Sequence, residues 1–235
     1  MLVLAHRGAS AVAPGNTPAA FELADRLGSD GVELDVRRAP DGRLLVAHDP
    51  LPDSLAEVDA LGLASLAEVL DACGDRMLVN VEIKNSSRDA GYDPTMSMIA
   101  PIVEELRRRG PRASQRFLIS SFSWTTVTAC RDLAPDIATG CLTSAPVDAA
   151  TIGRLAAAGH AALHPEHSQV DEALVALCRA NAMMINTWTC NDPGRLVALA
   201  ELGVDGVCTD VPDIALSALG RHSDPVAAAW PTITA

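Results

Sequence analysis

The sequence predicts a (β/α)8 barrel with a small hairpin inserted after the second strand. Eight short apolar runs alternate with eight amphipathic segments, and this alternation is typical of parallel α/β folds. The length of 235 residues is about that of one such barrel. An apolar fraction of 49% is enough for a sizeable core and excludes a disordered chain.

The order of the elements follows directly from this alternation. The predicted strands are Leu2–His6, Gly31–Val36, Met77–Lys84, Phe117–Ser121, Thr139–Leu142, Ala161–His164, Met183–Trp188 and Gly206–Thr209. The predicted helices between and after them are Pro18–Leu27, Leu66–Cys73, Thr95–Arg109, Trp124–Leu133, Ala149–Ala158, Val170–Ala180, Pro193–Leu202 and Asp213–Leu219. We therefore expect one domain, a barrel over residues 1–220, followed by a loose tail over residues 221–235.

Capping signals support several of the predicted helix ends. Thr17 and Asp192 each precede a proline, which is the arrangement expected at a helix start. Ser65 and Glu68 have the spacing of a capping box. Glycines lie where three helices are expected to stop, at Gly28, Gly110 and Gly203.

The predicted hairpin is marked by a turn dipeptide, Asp41-Gly42. It joins residues 35–38 to residues 43–48, so the second strand continues into a hairpin whose return arm ends at His48. In a barrel, such a hairpin would overhang the face where the strands end, which is the face that carries chemistry.

Charge and composition exclude several classes of partner. The formal net charge of −12 argues against nucleic acid or an anionic membrane as the main partner. No apolar stretch is long enough for a membrane span, and no secretory signal is visible, so we expect a cytoplasmic protein. The six cysteines form no C-x-x-C pair and are expected to be reduced core residues.

Acidic residues collect at the ends of two neighbouring predicted strands. Glu33 and Asp35 are two residues apart and therefore point to the same face, and Glu82 lies on the next strand. Three carboxylates that converge inside a barrel mouth need a counter-charge. An all-oxygen set suits one divalent cation, Mg²⁺ or Ca²⁺, better than Zn²⁺.

Basic groups come to the same mouth. His6 and His48 are candidate acid–base residues, because histidine titrates near neutral pH. Arg7 and Lys84, the single lysine of the chain, supply local positive charge. A metal, two cations and two histidines together favour phosphoryl chemistry over carbonyl chemistry.

The remaining histidines and aromatics have weaker functional indications. A proline lies between His164 and His167 and interrupts any helix that would align His160, His164 and His167, so we interpret these three histidines as structural. His164 ends a predicted strand, and a peripheral role for it in substrate binding stays open. Phe122 and Trp188 lie near strand ends and are candidates for the wall of a substrate pocket.

An ordered set of motifs along the chain resembles the glycerophosphodiester phosphodiesterase family, and most closely its short bacterial type. The first part of the set is His6-Arg7-Gly8, Pro14-Gly15-Asn16-Thr17 with Ala20-Phe21, Gly31-Val32-Glu33-Leu34-Asp35-Val36, Asp41-Gly42 and Val46-Ala47-His48-Asp49. The rest is Val81-Glu82-Ile83-Lys84, Ser120-Ser121-Phe122, Trp188-Thr189-Cys190-Asn191 and Gly203-Val204-Asp205-Gly206 with Thr209-Asp210-Val211-Pro212.

The resemblance implies a TIM barrel that hydrolyses small-molecule glycerophosphodiesters to glycerol 3-phosphate and an alcohol, in lipid and glycerol metabolism. It implies a divalent metal held at Glu33, Asp35 and Glu82. It implies phosphate contacts from Arg7 and Lys84. It also implies a general acid–base pair formed by His6 and His48.

Two departures from the family pattern are present, the first bearing on the geometry or rate of the site and the second on the shape of the substrate pocket. Gly15 stands where the family usually has Glu, and the segment from Asp49 to about Ala64 is shorter than in many relatives. The alternatives are a phospholipase-D-like enzyme that cleaves lysophospholipids and a catalytically weakened barrel that binds a phosphodiester. The sequence leaves open which histidine is the acid, and we favour His6 as base and His48 as acid. It also leaves open the alcohol head group, the metal ion and the oligomeric state.

Overall fold

Eight parallel strands close into a barrel in the computed structural model, which describes residues 1–88, 91–221 and 230. The strands are β1 (Leu2–His6), β2 (Gly31–Arg38), β3 (Leu44–Val46), β4 (Leu78–Ile83), β5 (Phe117–Ser121), β6 (Ala138–Thr143), β7 (Ala162–Pro165), β8 (Met184–Thr187) and β9 (Gly206–Thr209). All are parallel except β3, which pairs antiparallel with β2. The barrel closes because β1 pairs with β2 on one side and with β9 on the other.

The helices cover the outside of the barrel. They are α1 (Pro18–Arg26), α2 (Leu55–Ala60), α3 (Leu66–Ala72), α4 (Ile99–Arg108), α5 (Ala113–Arg116), α6 (Trp124–Leu133), α7 (Ala149–Ala157), α8 (Glu172–Ala180), α9 (Pro193–Leu202) and α10 (Pro212–Ala218), with one 3-10 turn at His167–Gln169. The predicted fold class is confirmed, including the hairpin after the second strand. The strand ends fall within about two residues of their predicted places, because short apolar runs bounded by polar turns identify buried strands well.

The predicted caps form as expected at the helix starts. The Thr17 side chain accepts from the N–H of Ala20, and Ser65 and Glu68 form the full capping box. Asp192 caps α9 in the same way, by accepting from the N–H of Arg195. These bonds satisfy backbone donors that have no partner within the helix.

Three features of the helices differ from the prediction. The short helix α5 (Ala113–Arg116) was not predicted. Helix α4 begins at Ile99 rather than at Thr95, because Asp93 accepts from the N–H groups of Thr95 and Ser97 and Met96 takes a left-handed conformation with φ 54°. This turn delays the helix by one revolution. The six-residue helix α2 within the hairpin insertion was not predicted, since its single buried residue, Val58, gives no helical period.

The core has an outer and an inner part. Strand residues that point outward pack against the helices, while the inward residues at the amino-terminal end of the barrel form a separate apolar cluster. That inner cluster contains Leu4, Leu78, Leu118, Ala162, Met184 and Cys208. Trp230 packs against it and donates its indole N–H to the carbonyl of Arg116. The other residues of the predicted tail after Arg221 lie outside the described residues.

Within the described ranges, no helix is both long and apolar enough to cross a membrane. The six cysteines are buried and unpaired, as expected.

Candidate active site

A cavity of about 120 Å³ lies at the carboxyl ends of the barrel strands. It collects the predicted site residues from strands that are far apart in sequence. His6, Arg7, Glu33, His48, Glu82, Lys84, Phe122 and Trp188 all line it. Asp35 is the one predicted site residue that does not, because it is buried behind Lys84.

The loop after β1 has a tightly constrained backbone. Arg7 and Asn16 both have left-handed conformations, with φ 57° and 62°, and the N–H of Asn16 donates to the carbonyl of Arg7 at 2.9 Å. Such conformations are costly for residues other than glycine and persist where the surroundings over-determine them. Gly8 lets the loop lie against α1, because a Cβ there would come within 2.6 Å of the backbone of Ala20. The loop therefore holds Arg7 in a fixed place.

The three predicted carboxylates converge as expected. Pairing of β2 with β4 puts Asp35 beside Glu82, and one oxygen from each of Glu33, Asp35 and Glu82 lies within 4.8 Å of the others. All three side chains are buried. Lys84 bridges two of them, with Nζ at 3.0 Å from Asp35 Oδ1 and 2.6 Å from Glu82 Oε1. Their only described cationic neighbours within ion-pair distance are Lys84 and Arg7, besides His6.

Asp35 is the most firmly held of the three. Its Oδ2 accepts from Asn16 Nδ2 at 2.8 Å, and Arg7 Nε lies 3.2 Å from the same oxygen, although not at a hydrogen-bonding angle. Burial alone would raise the pKa of Asp35, but Lys84, Asn16 and Arg7 outweigh burial, and the pKa lies below its usual value. Asp35 is therefore an anion in the folded protein.

The other two carboxylates are crowded by negative charge, although Glu82 also contacts Lys84. Burial raises the pKa of Glu33 well above its usual value, and the charges of Asp35 and Glu82 raise it further. Burial also raises the pKa of Glu82 to about 7, with Lys84 offsetting part of the rise. Glu33 Oε1 is buried without a hydrogen-bond partner. An excess of buried negative charge and a free carboxylate oxygen fit a divalent cation with oxygen ligands.

His6 is held by a carboxylate on the last strand. Its Nδ1 lies 2.7 Å from Oδ1 of Asp210, and its Nε2 lies 3.9 Å from Glu33 Oε2. Asp210 also accepts from Ser10 and from Asn191, and the His6 bond in particular keeps the pKa of Asp210 below its usual value. An ionised Asp210 can only accept, so Nδ1 of His6 carries the proton. In the neutral ring, Nε2 is then the nitrogen that carries the lone pair.

His48 is placed by the hairpin. Arg37 on β2 donates to the His48 carbonyl through Nε at 2.9 Å and Nη2 at 2.7 Å. The imidazole itself is 45% exposed, and its Nδ1 lies 2.8 Å from Oδ1 of Asp49. This bond lowers the pKa of Asp49, so His48 donates from Nδ1 and presents Nε2, as His6 does.

The two predicted aromatic residues form one wall of the cavity. The rings of Phe122 and Trp188 meet edge to face, with centroids 5.3 Å apart. Trp188 is anchored because its indole N–H donates to the carbonyl of His164 at 2.8 Å. Phe122 is 40% exposed, and an exposed ring at a cavity mouth is a suitable contact for the substrate.

The other histidines do not form a cluster. His160 is buried, and its Nδ1 lies 3.0 Å from the Thr139 hydroxyl. Burial lowers the pKa of His164 to about 3, so it stays neutral, and Asn186 lies 3.2 Å from its Nε2. His164 lines the inner part of the cavity, whereas His167 lies in the 3-10 turn.

Sequence reasoning missed three supporting residues. Asn16 orients Asp35, Arg37 fixes the backbone of His48, and Asp210 fixes the ring of His6. Asp210 had a visible signal, since it directly follows the last strand. The other two depend on the path of loops, which residue periodicity does not specify.

Comparisons with known proteins agree with the fold and the motifs. The sequence profile of the glycerophosphoryl diester phosphodiesterase family matches residues 6–71 and 52–214. A glycerophosphodiester phosphodiesterase of Caldanaerobacter subterraneus subsp. tengcongensis is 30% identical over 241 residues, covering 90% of this chain and 95% of the relative.

Solved structures show the same architecture. A phosphodiesterase of Oleispira antarctica, in complex with the product sn-glycerol-3-phosphate, has a TM-score of 0.81 and 28% identity and covers 94% of this chain and 97% of its own. A glycerophosphodiester phosphodiesterase of Thermotoga maritima has a TM-score of 0.76 and 25% identity over 94% of this chain and 98% of its own.

Proposed function

The chain belongs to the glycerophosphoryl diester phosphodiesterase family, and on that premise we propose that it hydrolyses small glycerophosphodiesters to glycerol 3-phosphate and an alcohol. The observation that carries the proposal is the convergence of His6, His48, Arg7 and Lys84 on one cavity together with a buried carboxylate trio. The relative from Oleispira antarctica, which binds sn-glycerol-3-phosphate, supports the substrate class.

We assign the carboxylate trio to one divalent cation. Glu33, Asp35 and Glu82 would hold it, and oxygen ligands favour Mg²⁺ or Ca²⁺. Such an ion would offset negative charge on the phosphoryl oxygens of the substrate. Arg7 and Lys84 lie beside the trio and would contribute to the same task through their own positive charge.

The histidines would move the protons of the reaction. We assign the base to His6, since Asp210 fixes its Nδ1–H and leaves Nε2 free to accept a proton from the nucleophile. The nucleophile is water or the neighbouring glycerol hydroxyl, which forms a new bond to phosphorus. The bond from phosphorus to the alcohol oxygen then breaks, and His48, with both ring nitrogens protonated, would give its Nε2 proton to that oxygen. If the glycerol hydroxyl attacks, water must open the resulting cyclic phosphate in a second step.

The test is release of glycerol 3-phosphate from glycerophosphocholine and glycerophosphoethanolamine by metal-stripped protein, with Mg²⁺, Mn²⁺ or Ca²⁺ added back. We expect metal-dependent release that falls about 10²- to 10⁴-fold in His6→Ala and in His48→Ala. Folded protein that binds metal and substrate but releases no product with any ion would instead support the binding-only alternative. Near-wild-type rates in both histidine variants would exclude the two-histidine mechanism.

A further inference from the structure

A second and larger cavity, of about 530 Å³, shares His48 with the reaction cavity. We call it the lid chamber. Its walls come from three segments, residues 15–18 before α1, residues 46–52 after β3 and residues 61–64 after α2. His48 therefore stands between the carboxylate trio and a cavity that the proposed reaction does not use.

The lid chamber is apolar and almost uncharged. Its side chains include Pro18, Val46, Leu51, Leu61 and Leu63, and no lysine or arginine lines it. The ionisable residues in its lining are His48 and Asp49. By contrast, the groove of about 370 Å³ that also borders His48 is lined by Arg37, Lys84 and Arg88. The one carboxylate of the lining, Asp49, is already bonded to His48. An ionic group therefore gains little from the lid chamber, whereas an aliphatic group gains by leaving water.

Two residues of the lining leave the lid chamber accessible to a ligand. Gly15 contributes no side chain to it, and a Cβ there would lie 3.2 Å from Cβ of Arg7. Leu61, the C-cap residue of α2, is 53% exposed. A large apolar side chain exposed at the border of an apolar cavity is a surface that a ligand can cover.

We infer that the lid chamber binds the alcohol part of the substrate and that this alcohol is aliphatic. The inference rests on the proposed function, because it uses His48 as the residue that protonates the departing oxygen. A group attached to that oxygen must lie next to His48, and the lid chamber begins there. The glycerol phosphate part then occupies the side of the carboxylate trio. The enzyme is thus selective for alkyl esters of glycerol phosphate over esters with a charged head group.

The experiment compares kcat/KM for glycerol phosphate esters of ethanol, butanol, hexanol and choline, each below its aggregation concentration. We expect kcat/KM to rise from ethyl to hexyl by up to about fourfold for each methylene that is buried. We expect the choline ester to be poorer than the butyl ester of similar size. In Leu61→Asp, the rise of kcat/KM with chain length should nearly disappear.

Leu55→Asp is the matched control, since Leu55 is an exposed leucine on the same helix, 43% exposed, but does not line the lid chamber. It should keep the wild-type dependence on chain length. A flat dependence in the wild type, or equal losses in the two variants, would overturn the inference while leaving the phosphodiesterase activity established. Higher activity toward esters with the chain on the glycerol would also overturn it. Absence of hydrolysis of every diester would instead contradict the proposed function itself.

Discussion

Replacing Asp210 by Asn tests how the protein prepares His6. The change keeps the size of the side chain but removes its charge and puts an amide N–H₂ in place of one oxygen. In the native protein, Oδ1 accepts from His6 at 2.7 Å and from Ser10 at 2.8 Å, and Oδ2 accepts from Asn191 at 2.7 Å. In either orientation of the amide, a donor would therefore face at least one other donor.

The expected loss in kcat follows from the hydrogen bond that Asp210→Asn removes. A hydrogen bond to a charged group contributes about 1.5–3 kcal/mol, and the Asp210→Asn side chain would lack the charge that faces His6 when His6, as the proposed base, takes up a proton. Since each 1.36 kcal/mol is about tenfold in rate, kcat should fall by about 10- to 150-fold. KM should change little, because the described contacts of the Asp210 side chain are all to protein groups and it does not line the reaction cavity.

The assay is initial-rate release of glycerol 3-phosphate from glycerophosphocholine, with thermal melts of both proteins recorded alongside. Asp213→Asn is the matched control, since Asp213 is an exposed residue in the first turn of α10 and undergoes the same chemical change. We expect its kcat to equal that of the wild type. A folded Asp210→Asn protein with wild-type kcat would refute the assignment of Asp210 as the residue that positions His6.

Three further predictions follow from single side chains. His164 stays neutral in the folded protein because burial lowers its pKa from 6.5 to about 3, whereas His164 in the unfolded chain takes up a proton. The free energy of unfolding should therefore fall as the pH drops below about 6.5, by up to about 1.4 kcal/mol per pH unit. Urea melts of His164→Gln should show a flatter pH dependence. Lys84→Arg should lower kcat by about tenfold or more, because a planar guanidinium cannot replace an ammonium that contacts two carboxylates at 3.0 and 2.6 Å; unchanged kinetics would remove Lys84 from the site. Gly8→Ala should destabilise the protein by about 1–3 kcal/mol in urea melts, because the new Cβ meets the backbone of α1 at 2.6 Å. The control is Gly74→Ala, where φ is also positive but no atom lies within 4 Å of the new Cβ; it should destabilise the protein by only about 1 kcal/mol.

The sequence was sufficient for those parts of the molecule that depend on periodicity. Alternation along β2 and β4 predicted that Glu33, Asp35 and Glu82 share one side of the barrel, and the register of the two strands places them together. Helix α2 was missed because six residues with one buried side chain carry no period. Two other features were missed for a different reason, namely the hydrogen bonds from Arg37 to the His48 carbonyl and the lid chamber. Both arise where separate loops meet, and no local pattern in either loop encodes their meeting.

The closure of the barrel has a consequence for how the family's chemistry can diversify. The charged residues of the site lie on β9, β1, β2 and β4 and the hairpin, which form one continuous arc, because β1 joins the last strand to the second. The opposite arc, β5 to β8, contributes Phe122 and Trp188 as a wall. The aromatic wall and the charged residues are therefore carried by separate sets of strands in one barrel. A chimera that exchanges the loops after β5 and β8 with those of a relative should inherit the relative's selectivity along that wall and keep its own catalytic arc.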